Sequence, residues 1–81
     1  RQIPVADSIV QIERFRDRQM EELIEIKTQK ELFGKEEVDD PNLPFWQLAL
    51  SYGEHVNRAY INWAREALAS LRKMENKTSS R

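Results

Sequence analysis

Residues 45–74 read FWQLALSYGEHVNRAYINWAREALASLRKM, and this stretch decides the fold. Over roughly eight helical turns its apolar residues return on one side. Ala49, Gly53, Val56, Tyr60, Trp63, Ala67 and Met74 follow steps of four and three, with a polar break at Ser70. Steps of that size hold one face of a helix toward a partner. A second row, Phe45, Leu48, Tyr52, Ala59, Ala64, Leu68 and Leu71, lies beside the first. The opposite side reads Gln47, Ser51, Glu54, Arg58, Asn62, Arg65, Ala69 and Arg72, and is expected to face water. The apolar stripe is wider than one neighbouring helix can cover.

A second amphipathic segment precedes this one. Ile9, Ile12, Phe15, Met20, Leu23, Ile26 and Phe33 recur mostly at three- and four-residue steps, with charged residues between them. Residues 1–7 read as a lead-in, because Pro4 disfavours a helix running through it. Ser8 and Gln11 fit a capping box, with Asp7 as a competing cap, so a first helix is expected over about 8–33. Gly34 is its expected stop, in the left-handed conformation common after a helix end. The charged stretch KEEVDDPNLP, residues 35–44, carries two prolines and forms the expected turn, over about 34–42. Asn42 is the expected cap of a second helix over about 43–75, with Pro44 tolerated in its first turn. Residues 76–81 are a polar tail expected to fray.

The architecture expected is therefore all-α: two long antiparallel helices in a hairpin, its domain spanning residues 8–75. Such a hairpin buries one stripe and leaves Phe, Trp, Tyr and Leu side chains uncovered, which drives pairing. An isologous homodimer is the simplest solution, since one patch then serves both subunits. The packing and dimer-contact residues are expected among Ile9, Ile12, Phe15, Met20 and Leu23 of the first helix. On the second they are Phe45, Ala49, Tyr52, Gly53, Val56, Tyr60, Trp63, Ala67, Leu68 and Leu71. Periodicity alone leaves open which row is intramolecular and which lies at the dimer contact.

Composition narrows the function classes. Thirteen Lys and Arg stand against 14 Asp and Glu, a formal net charge of −1, and nonspecific nucleic-acid affinity comes mostly from excess cations. DNA binding by this chain alone is not expected. There is no cysteine, hence no thiolate metal site or Cys nucleophile. No stretch approaches the roughly 18 uncharged apolar residues of a membrane span, and the opening RQIPVAD has no signal-peptide core. A cytoplasmic location and no membrane partner are expected. The chain opens on Arg1 rather than Met, and is expected to be part of a longer polypeptide.

Few residues point to chemistry. His55 is the single histidine, with no second imidazole for a metal site. The carboxylates Glu21, Glu22 and Glu25, and the group Glu36, Glu37, Asp39 and Asp40, lack the ligand spacing of a calcium loop and read as solvated charge. Arg16, Lys27 and Lys30 fall on or beside the apolar seam of the first helix, where they could line an anion pocket of a small helical enzyme. The plainer account is that their stems cover apolar surface while their charges reach water. Trp46 and Trp63 could form a ligand box, although aromatics at helical spacing more often anchor a core or dimer. Gly53 costs about 1 kcal/mol relative to Ala in mid-helix, which implies a close helix crossing opposite a bulky residue. No catalytic residue, cofactor or metal is expected.

Leu50, Gly53, Trp63, Leu68 and Leu71 follow the order Leu-x-x-Gly, nine residues, Trp, four residues, Leu-x-x-Leu. The pattern resembles the C-terminal domain of PadR-like transcriptional regulators, of the virulence activator AphA type, over about residues 8–75. There, aromatic-x-Leu-x-Leu-x-x-Gly followed by a Trp and a Leu-rich end lies on the last long helix. The resemblance implies a dimerisation domain whose DNA contacts belong to an N-terminal winged-helix domain absent from this chain, with room for an unidentified small-molecule effector. A free-standing adaptor hairpin and, behind it, a small helical enzyme are the alternatives.

Overall fold

Pro4 sets where the first helix begins. Its carbonyl accepts the N–H groups of Asp7 at 3.1 Å and Ser8 at 3.2 Å, so the proline stands just ahead of the first turn, where its missing N–H costs nothing. In the computed structural model, which describes residues 4–35 and 40–79, helix α1 spans Val5–Lys35 and helix α2 spans Leu43–Ser79. The expected start at Ser8 is thus one turn late, because the Pro4 carbonyl, and not the Ser8 side chain, opens the helix. No strand occurs among the described residues, and the two helices pack as a hairpin 65 × 21 × 15 Å in extent.

Gly34 does not end α1. The helix runs on to Lys35, and no glycine among the described residues has positive φ. The left-handed stop expected there is absent; Gly34 is an ordinary helical residue. Residues 36–39 of the expected turn lie outside the described residues. Residues 40–46 then form a tight local structure. The Asp40 side chain accepts the Asn42 N–H at 2.9 Å and its carbonyl accepts the Leu43 N–H at 3.0 Å. The Asn42 carbonyl takes the first helical bonds, from Phe45 at 3.0 Å and Trp46 at 3.1 Å. Asn42 holds the expected cap position, with Pro44 in the first turn. At the other end α2 passes the expected stop at Glu75 and includes residues of the polar tail.

The seam between the helices follows an alternation of four and three on both. On α1 it runs through Val5, Ile9, Ile12, Arg16, Gln19, Leu23, Ile26, Lys30 and Phe33; on α2 through Leu50, Glu54, Asn57, Ile61, Ala64, Leu68, Leu71 and Glu75. Ile9, Ile61, Ala64 and Leu68 form the buried apolar core, and Leu68 is 1% exposed. Full burial of a leucine contributes about 1.5–3 kcal/mol. Gln19 and Asn57 are buried with them, joined by a hydrogen bond. The seam is neither of the two expected rows: it shares only Ala64, Leu68 and Leu71 with the second. It also takes in Glu54, expected on the water face, whose side chain is 18% exposed.

Candidate interaction face

An alternation of four and three uses up one side of α2, and the broad apolar stripe continues past it. Phe45, Leu48, Tyr52, Tyr60, Trp63 and Met74 remain exposed, Phe45 at 70% and Tyr52 at 73%. With the half-buried Val56 and Ala67, Tyr60, Trp63 and Met74 form one flank of the helix, turned roughly a quarter-circle from the seam by the 3.6-residue pitch, and Phe45, Leu48 and Tyr52 wrap further round it near the hairpin turn. The first expected row is thus largely an outer row, and Phe45, Leu48 and Tyr52 of the second extend it toward the hairpin turn.

Phe15 ties this flank to α1. Its ring lies edge-on to Tyr60, centroids 5.6 Å apart at 64°, and edge-on to Trp63 at 6.0 Å and 86°. Such edge-to-face pairs hold rings in fixed orientation and add about 0.5–1.5 kcal/mol beyond their area. Trp63 nevertheless stays 51% exposed, so the cluster is braced from behind and open in front. Toward the turn, Gly53 faces Ile26: a Cβ built on the glycine would stand 3.0 Å from Ile26 Cδ1. The missing side chain makes room for an isoleucine end from α1, which gives the close crossing expected at this glycine a named partner.

Other expected residues lie apart from this flank. Met20 is 39% exposed on the opposite edge of the hairpin, beside Lys27. Arg16 pairs with its neighbour Asp17 at 3.1 Å, and Lys30 donates to Glu54 Oε1 at 2.8 Å, so Arg16, Lys27 and Lys30 are not gathered into one pocket. Glu54 also accepts from Arg58 Nε at 3.2 Å. The hydrogen bonds from Lys30 and then Arg58 hold its carboxyl below the usual value of 4.5. His55 is spent locally, its Nδ1 2.7 Å from the Ser51 carbonyl one turn back. Glu36, Glu37 and Asp39 lie outside the described residues. Among the described residues, no three of His, Cys, Asp and Glu stand close enough to share a metal ion, and no helix is long and apolar enough to cross a membrane.

Gln19, Asn57 and Ile61 were not among the expected packing residues, although the alternation through positions 50, 54, 57, 61, 64, 68 and 71 is present in the sequence. Asn57 and the carboxylate of Glu54 hide it behind the stronger aromatic row.

Comparison with known proteins adds one match. The family described as virulence activator alpha C-term matches residues 1–72. No curated protein and no solved structure is significantly similar to the chain.

Proposed function

This chain belongs to the virulence activator alpha C-terminal family, and on that footing we propose that it is the dimerisation domain of a PadR-like DNA-binding transcriptional regulator. Its role is to bind and to set geometry, with no catalytic step. Two copies pair through the aromatic flank of α2, and the resulting helical core holds two winged-helix domains at operator spacing. Recognition helices must reach half-sites about 34 Å apart or a multiple of that, and a stiff rod is suited to fixing such a separation.

The observation that carries this reading is the uncovered flank. A monomer of 9.6 kDa ordinarily exposes about 5,100 Å², whereas this chain exposes 6861 Å². An open two-helix rod 65 × 21 × 15 Å in extent leaves more surface uncovered than a compact chain of its mass, and the aromatic flank is part of that surface. The flank is apolar, continuous along α2, and free of charged side chains on its central line from Tyr52 to Ala67, as an isologous contact requires.

Sedimentation equilibrium over a wide concentration range tests the proposal. A stable dimer is expected. A well-folded monomer would overturn it and favour the adaptor reading, in which the same flank docks on a different protein.

A further inference from the structure

The edge of the hairpin opposite the aromatic flank carries cross-helix neighbours at seven-residue intervals: Glu13, Met20 and Lys27 on α1, and Arg72, Arg65 and Arg58 on α2. At one end Arg72 Nη2 meets Glu13 Oε2 at 3.2 Å, the opposite-charge pairing that stabilises such edges. Two heptads on, Lys27 and Arg58 lie on this same edge, both of them cations. Both line a groove of about 290 Å³ together with Met20, Leu23, Ile24, Ile61, Asn62 and Arg65.

The carboxylate that holds Arg58 is not its alone. Glu54 is already shared between Lys30 and Arg58, and its bond to Arg58 uses Nε, which leaves the Nη edge of the guanidinium available. Lys27 has no ion pair among the described residues. Two like charges beside apolar side chains are unfavourable unless an anion joins them. Ile24, 63% exposed beside them, adds apolar surface for the body of such a ligand to cover.

We infer that this groove is a binding site for an elongated amphipathic carboxylate. The carboxylate sits between Lys27 and Arg58, and the apolar body lies over Ile24, Leu23 and Ile61 toward Met20. Seven residues of helix run about 10 Å, which sets the length of the ligand, and the volume is at the small end of small-molecule sites, too small for a peptide helix. The site is on the other side of the hairpin from the proposed dimer contact and does not depend on it.

Titration of the 81-residue chain with octanoate, followed by calorimetry and by amide shifts, tests the assignment, with octan-1-ol and inorganic phosphate as probes lacking the charge or the tail. Octanoate is expected to bind saturably with shifts centred on Lys27, Ile61 and Asn62, and each of the other two probes at least about tenfold more weakly. Lys27→Gln/Arg58→Gln should lose about tenfold in octanoate affinity with unchanged helical circular dichroism; if that variant unfolds, Lys27→Gln alone, which breaks no bond, carries the test. Equal binding of octanol or of phosphate, full affinity in the folded variant, or shifts centred on Trp63 would overturn it.

Discussion

Asn57 Nδ2 donates to Gln19 Oε1 at 2.6 Å across the middle of the seam, with both side chains buried, and to Glu22 Oε2 at 3.1 Å. Between two otherwise largely apolar rows, this pair sets the register. A slip of one heptad would face each amide with a partner that cannot bond it. Asn57→Leu strands the Gln19 amide and should cost about 1–3 kcal/mol. Gln19→Leu should cost a similar amount. The double replacement restores an apolar pair and should cost far less than the sum of the two. Denaturant titration of the four chains at one fixed concentration measures the coupling; additive losses would show that the bond does not fix the pairing.

Gly53 and Ile26 are coupled in the same way. Alanine at position 53 gains about 1 kcal/mol of helix propensity but brings a methyl to 3.0 Å from Ile26 Cδ1, so Gly53→Ala should be close to neutral. In an Ile26→Val background the crowding atom is gone, and the same replacement should stabilise. Gly53→Leu has no room in either background and should lower the melting temperature. A melting temperature unchanged by Gly53→Leu would remove the close crossing as the reason for the glycine.

Glu54 makes the fold sensitive to acid. Lys30 and Arg58 hold its carboxyl below 4.5 in the folded chain, so between the folded and unfolded values the unfolded chain binds more protons. The stabilisation is complete above the unfolded value and disappears as pH falls through the folded one. Wild-type chain should therefore exceed Glu54→Gln in stability at pH 7, with the two curves converging in the acid range. Added salt should narrow the gap at neutral pH as well, since Lys30 and Arg58 are half-exposed. Parallel curves from pH 7 to pH 3 would assign the difference to packing instead of charge.

The hairpin itself is legible in the sequence because two amphipathic stretches flank a charged, proline-containing interruption. The choice of seam is not. Periodicity finds apolar faces, and the widest one here runs through Tyr60 and Trp63, residues too bulky for the line where two helices come closest. Ala64, which is 0% exposed, and Gly53 allow that approach, so the hairpin closes on the narrower row beside them and accepts Gln19 and Asn57 within it. Helix ends escape a sequence reading for a related reason. Pro4 and Gly34 carry strong intrinsic preferences, but backbone bonds to the Pro4 carbonyl and continued packing of α1 to Phe33 decide where the helix starts and stops.

Tyr52 offers the cleanest test of the open flank, because it is 73% exposed and makes none of the ring contacts that bind Phe15 to Tyr60 and Trp63. In the hairpin alone, Tyr52→Asp removes little buried area and should leave helicity unchanged. In an isologous dimer each replacement occurs twice about the two-fold axis, placing two carboxylates in an apolar contact. The dimer dissociation constant should then rise by well over tenfold, more than about 1.4 kcal/mol. Gln47→Asp, on the polar side of the same helix, adds the same charge outside the flank and should leave it unchanged. If both variants sediment like the parent chain, pairing does not run through the aromatic flank, and the uncovered area must be closed by a different molecule.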